Sequence, residues 1–95
     1  GSSVYNDQGI KQAEFVVYPN PARAGNLNFV LHAVENAQVS LDIYTMMGQK
    51  VHSTKFEHST GLSRLSLNSL SLSQGNYIAK INVNGRTMVQ QFVIN

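Results

Sequence analysis

Cysteine and tryptophan are absent from this 95-residue chain, proline occurs only twice, and just 13% of the residues are charged. Without cysteine there is no disulfide framework and no thiolate chemistry. Without tryptophan, and with only four tyrosines, a stacking platform for sugars is poorly supplied. The seven Lys and Arg residues are scattered and outnumber the acids only slightly, for a net charge of +2, which argues against a nucleic-acid surface. No apolar run approaches the ~20 residues of a membrane helix. No signal-peptide core stands at the front, so a secreted protein would need an export signal upstream of this stretch. No segment shows helical periodicity.

Catalytic constellations are missing as well. His32, His52 and His58 form neither an H-x-x-x-H nor an H-E-x-x-H arrangement, and they read as solvent-facing or rim residues. A cross-strand zinc site built from them with Asp42 or Glu57 is the weaker reading. Asp7, Glu14, Glu35, Asp42 and Glu57 are the whole carboxylate inventory. They fall at turns and strand exteriors, where an acid/base pair has no partner geometry. Serine is plentiful in residues 66–73, but no G-x-S-x-G elbow occurs, and no glycine-rich phosphate loop is present. The expectation is a non-enzyme with no catalytic residue, no metal and no cofactor.

What is there alternates with period two. Gly1-Ser2-Ser3 reads as an expression scar, and residues 1–13 read as scar plus linker ahead of a domain over 14–95. Glu14 to Tyr18 is a short β-rich run, closed by Tyr18-Pro19-Asn20-Pro21. Proline cannot donate to a ladder and pushes its predecessor towards extended geometry, so this run makes a stiff corner. Gly25-Asn26 opens a strand with Leu27, Phe29, Leu31 and Ala33 on one face. Val39, Leu41 and Ile43 mark the inward face of the next strand, with Ser40, Asp42 and Tyr44 opposite. Gly48 supplies the positive φ of a hairpin; Met46 and Met47 beside it read as core gap-fillers, with a small exposed apolar tip as the weaker reading. The return strand runs from about Lys50 to Glu57, and Leu62, Leu65 and Leu67 mark a fifth. Leu70 and Leu72 lead into Gly75, after which Tyr77, Ala79, Ile81 and Val83 alternate. Asn84-Gly85 is a strong hairpin signal, turning the chain into a last strand from Arg86 to Ile94.

Seven short strands with frequent turn signals predict an all-β, immunoglobulin-like antiparallel sandwich. Its core should hold Phe29, Leu31, Leu41, Ile43, Leu67, Tyr77, Ile81 and Val83. Leu72-x-x-Gly75-x-Tyr77 has the form of a tyrosine corner, in which the phenol bonds back to nearby backbone.

Four motifs in order carry a family resemblance. They are Tyr18-Pro19-Asn20-Pro21; Val39 to Tyr44 running into Gly48-Gln49-Lys50-Val51; Leu72 to Tyr77; and Val89, Phe92, Val93 and Ile94 at the end. From about Val17 to Asn95 the chain resembles the type A C-terminal sorting domain of the type IX secretion system of certain Gram-negative bacteria. Many members carry a lysine where this chain has Gln90-Gln91.

The resemblance implies an immunoglobulin-like module that rides at the C-terminus of a cargo protein. It would direct that cargo from the periplasm through an outer-membrane translocon to the cell surface or medium. A cysteine-peptidase-like surface sortase would then remove the domain, in or before residues 4–13, and join the cargo to an anionic lipopolysaccharide. The implied signal residues are Tyr18, Pro19, Asn20, Pro21, Gly48, Gly75, Tyr77, Val89, Phe92, Val93 and Ile94; the implied partners are translocon, sortase and cargo.

The last strand from Thr87 to Ile94, which carries no charge, is expected to be the working part of the address. It would be read by strand addition, with pockets for Met88, Phe92 and Ile94, and would also permit a self-dimer. The alternative is an adhesion or carbohydrate-binding accessory domain of the same fold, which leaves the motif order and the uncharged terminal strand unexplained.

Overall fold

The computed structural model describes residues 13–23, 26–67 and 71–95. Residues 1–12 of the stretch read as scar and linker, together with Gly25 and Leu70, lie outside the described residues. Seven strands account for most of the rest: β1 (Ala13–Arg23), β2 (Asn26–Ala33), β3 (Ala37–Thr45), β4 (Lys50–His58), β5 (Gly61–Leu67), β6 (Gly75–Val83) and β7 (Arg86–Ile94). The fold is all-β, as the alternation predicts.

Burial follows the period-two pattern closely. Leu27, Phe29, Leu31 and Ala33 of β2, Val39, Leu41 and Ile43 of β3, and Tyr77, Ala79, Ile81 and Val83 of β6 are all buried. Their neighbours in sequence point outward because a strand turns successive side chains to opposite faces. Leu67 is the exception among the expected core residues, being only partly buried on the short β5.

The strands hydrogen-bond in the order β4-β3-β6-β7-β1-β2-β5, a single mixed sheet. All pairings are antiparallel except that of β1 with β7, which is parallel and joins them at Ala22 and Ile94. This junction divides the sheet into a three-strand half, β1-β2-β5, and a four-strand half, β4-β3-β6-β7. The halves are packed together by aromatic rings. Phe15 stacks on Phe29 at 6.0 Å, Phe29 meets Phe92 edge-on at 6.2 Å, and Phe92 stacks on Tyr77 at 5.7 Å. That file of rings runs from β1 through β2 and β7 to β6, in the offset and edge-to-face arrangements that aromatic quadrupoles favour.

The proline corner is what lets β1 serve both halves. Residues 13–18 and Arg23 pair with β2, whereas Ala22 pairs with β7. Both peptide bonds preceding the prolines are cis. Inward side chains on the first part of the strand are Ala13, Phe15 and Val17, and the next inward one is Ala22. The corner therefore shifts the alternation by one residue and brings Ala22 against β7 while Arg23 stays paired with Asn26 of β2.

Two turns obey their sequence signals. Asn84 and Gly85 both adopt positive φ, 51° and 84°, as a two-residue hairpin loop of the primed type requires. Gly48 sits at φ 91° in a turn capped by Thr45, whose Oγ1 accepts from the N–H groups of Met47 and Gln49, each at 3.2 Å.

Histidine departs from expectation. His32 is exposed and His52 partly buried, but His58 is 2% exposed. Its Nε2 donates to the Ala33 carbonyl at 2.9 Å, and its Nδ1 lies 2.5 Å from Ser63 Oγ. A ring with both nitrogens partnered can be buried at little cost, so here it ties the ends of β2, β4 and β5 rather than lining a rim.

Candidate functional site

The antiparallel register gathers residues from distant parts of the sequence at one end of the domain. β3 ends at Thr45 opposite Tyr77, near the start of β6. Tyr77 stands opposite Phe92, and Gly75 opposite Ile94. Ile94 is in turn paired with Ala22, directly after the second proline. The Gly48 turn projects from the same end of β3. Tyr18-Pro19-Asn20-Pro21, Gly48, Gly75 to Tyr77, and Val93 with Ile94 therefore converge on one pole. The opposite pole carries the β2–β3 and β4–β5 connections, the Asn84-Gly85 turn, and the first described residue, Ala13.

Specific bonds join the motifs. Asn20 Oδ1 accepts the Val93 N–H at 3.0 Å, in the place where a ladder carbonyl would sit. Next to it the Asn95 N–H donates to the Ala22 carbonyl at 2.7 Å. The Tyr18 carbonyl accepts from Asn28 Nδ2 at 3.4 Å. The Tyr77 hydroxyl donates to the Ser73 carbonyl at 2.6 Å, which is the tyrosine corner that the sequence indicates. A neutral bond of this kind contributes about 0.5–1.5 kcal/mol.

The last strand differs from the expectation in two respects. Phe92 and Ile94 are 0% and 1% exposed, and Met88 packs against the core. These side chains fill the interior and cannot enter a partner's pockets; the outward set is Thr87, Val89, Gln91 and Val93. Register with β6 sets this direction, since Phe92 stands opposite buried Tyr77 and Ile94 opposite Gly75. Nor does β7 lie at the rim of the sheet, since it stands between β6 and β1.

Around Gly48 the surface is apolar and cationic. Met46 and Met47 are 54% and 96% exposed, so they form an exposed tip instead of filling the core. Beside them a cleft of about 270 Å³ is lined by Tyr44, Thr45, Met46, Gly48, Ile78 and Lys80. The Tyr44 ring has Lys50 Nζ at 5.9 Å and Lys80 Nζ at 5.2 Å from its centroid, within cation–π reach. Asp42 lies 3.9 Å from Lys50 and accepts from Ser53 Oγ at 2.6 Å. Lys80 thus lines the cleft, while Lys50 reaches the Tyr44 ring from outside that lining. Among the described residues no group of three or more His, Asp or Glu stands close enough to hold a metal ion.

Comparison with known proteins adds a family. The model of the secretion system C-terminal sorting domain matches residues 16–95. No curated protein matches the chain. Among solved structures, dimeric latent PorU from Porphyromonas gingivalis superposes with a TM-score of 0.69 at 17% identity, over 97% of this chain and 10% of that one. The chain thus spans about a tenth of that protein, and the likeness concerns the fold. A putative β-galactosidase from Bacteroides fragilis aligns at 22% identity over 81% of this chain and 15% of that one, with a TM-score of only 0.34.

Proposed function

The chain belongs to the family of secretion system C-terminal sorting domains, a type IX sorting signal, and we propose that its motif-bearing pole is the face that the outer-membrane translocon reads. A protein carrying this domain is secreted or placed on the cell surface, and its cargo lies in the same chain. The observation that carries the proposal is the convergence of four separated motifs on one pole, while Ala13 stands at the other. Cargo joined upstream of Ala13 leaves the motif pole unobstructed. One surface can then serve cargoes of unrelated shape.

On this reading the corner residues Tyr18, Pro19, Asn20 and Pro21 and the Gly48 turn are presented to the translocon. Gly75, Tyr77, Phe92, Val93 and Ile94 hold that surface in shape, and Val89 lies outside it, midway along β7. The domain passes through the periplasm and carries out no chemistry of its own. A surface sortase removes it by cutting upstream of Ala13. Adhesion or carbohydrate binding would use the same fold but assigns no role to the converging motifs.

The test is a reporter fused upstream of residue 1 and expressed, with an export signal, in a bacterium that has the secretion system. The reporter should reach the surface or medium and should stay periplasmic without the domain. Sequencing the released domain should place its new N-terminus upstream of Ala13. Periplasmic retention of the intact fusion would refute the proposal.

A further inference from the structure

The turn between β3 and β4 exposes apolar side chains while keeping its backbone to itself. Met47 is 96% exposed and Met46 54%. The N–H groups of Met47 and Gln49 donate to Thr45 Oγ1. That of Gly48 donates to the Thr45 carbonyl at 3.0 Å, and that of Thr45 to the Gln49 carbonyl at 2.9 Å. A turn whose donors are satisfied internally can leave water without stranding them. Behind the tip stands the Tyr44 ring, with the ammonium groups of Lys50 and Lys80 at 5.9 Å and 5.2 Å from its centroid. Apolar tip, amphipathic ring and then cations is the order of layers that a bilayer surface favours, from acyl chains out to headgroups.

Charge is spread unevenly along the domain, whose extents are 45 × 23 × 21 Å. Among the described residues, Arg23, Lys50 and Lys80 stand at or beside the motif pole, against Asp42, which lies 3.9 Å from Lys50. Glu14, Glu35 and Glu57 stand at the opposite pole, against Arg86, which lies 3.8 Å from Glu35. Lys55 and Arg64 fall between, on β4 and β5. One pole is cationic and the other anionic, although the net charge is only +2. The Debye length is ~8 Å at physiological ionic strength, so a surface that meets one pole feels that pole's charge. Val34, the exposed apolar residue of the opposite pole, sits beside Glu35 and lacks this setting.

We propose that the β3–β4 turn is a membrane-contact site. Met46 and Met47 enter the interface of a bilayer that contains anionic phospholipid, and Lys50 and Lys80 take the headgroup phosphates. The charge pattern selects this occupant: an apolar groove would accept the methionines and leave the flanking cations unused, whereas an anionic headgroup layer engages both. The cleft behind the tip, with Lys80 in its wall, gives a phosphate a concave seat. Each lysine near an anionic surface multiplies affinity about fivefold, and a buried methionine about tenfold or more. Two of each make a weak, reversible contact. It orients the domain with the motif pole on the membrane and Ala13, at the other pole, directed away. This inference does not rest on the translocon reading, because a protein-free bilayer contains no translocon and either reading can fail alone.

The experiment uses the 95-residue chain and exploits its lack of tryptophan. Met47→Trp puts a single reporter on the tip, and Val34→Trp puts one at the opposite pole. Each is mixed with vesicles of phosphatidylglycerol and phosphatidylethanolamine in equal parts, or of phosphatidylcholine alone. The tip reporter should shift to the blue with the anionic vesicles and stay unchanged with phosphatidylcholine; the Val34→Trp reporter should stay unchanged with both. Binding should weaken as salt rises from about 0.01 M to about 1 M, since the Debye length falls from ~30 Å to ~3 Å. In co-sedimentation of the parent chain with the anionic vesicles, Met47→Gln should weaken binding about tenfold. Lys50→Gln with Lys80→Gln should weaken it about tenfold or more, both variants keeping the parent urea midpoint. An unshifted tip reporter at low salt would overturn the proposal and leave the tip to a protein partner. Equal shifts of the two reporters, or co-sedimentation indifferent to Met47→Gln, would overturn it as well.

Discussion

The two poles of this domain are held by different means. At the motif pole the backbone itself is specified: two prolines turn β1, Gly48 and Gly75 take positive φ, and the Tyr77 hydroxyl pins the approach to β6. At the opposite pole Gly61, Asn84 and Gly85 also take positive φ, but most of the tying is done by side chains. His58 bridges Ala33 and Ser63. Thr60 bonds to the Val34 carbonyl and to Asn36, while Glu35 receives Asn84 and Arg86. Residue types that fix a backbone leave a readable pattern in the sequence; side-chain bonds between distant residues leave almost none. This contrast explains why most of the motifs gather at one pole and why the other shows little in the sequence beyond Asn84-Gly85.

The contrast can be broken most forcefully in the shared core near the motif pole. Phe92→Ala removes a ring packed against Phe29 and Tyr77 and should cost about 3–5 kcal/mol, read from urea unfolding. Deleting residues 91–95 removes Phe92 and Ile94 together and should unfold the domain, so loss of secretion by that deletion would not by itself locate the address. Ile43→Ala, on β3, should cost about 2–5 kcal/mol. A loss under 1 kcal/mol at either position would show that the halves do not pack as described.

Smaller changes sharpen the comparison between the poles. His58→Leu strands the buried Ala33 carbonyl and should destabilise by about 1–3 kcal/mol, with no effect on the motif pole. Tyr77→Phe keeps the ring stack and loses one hydroxyl bond, for about 0.5–1.5 kcal/mol. Asn20→Ala removes an exposed bond to β7 and should fall at or below the low end of that range. Should His58→Leu prove neutral in urea, the polar bonds of the opposite pole would not be what holds it.

Much of this was legible from residue order. The strands follow alternation, and the two hairpin turns follow Asn84-Gly85 and Gly48. The tyrosine corner follows the Leu72 to Tyr77 spacing. Three features were not legible, each for a physical reason. The double role of β1 depends on the one-residue shift at the proline corner, which alternation on either side does not reveal. The inward direction of Phe92 and Ile94 depends on register with β6, a long-range property. The burial of His58 depends on a serine and a carbonyl that become its neighbours only after β2, β4 and β5 assemble. Met46 and Met47 show the reverse error: apolar residues suggest a core, but a tight turn leaves them no core to enter.

The central claim is that one pole carries the address, and matched surface substitutions test it most directly. Met47→Lys alters the exposed tip beside Gly48, and Val34→Lys alters a residue 54% exposed at the opposite pole. Neither side chain belongs to the core, so both variants should keep the parent urea midpoint. In the secreting bacterium, the account predicts that Met47→Lys combined with Tyr18→Ser leaves the reporter in the periplasm, whereas Val34→Lys delivers it normally. Normal delivery by the first variant, or retention by the second, would contradict it.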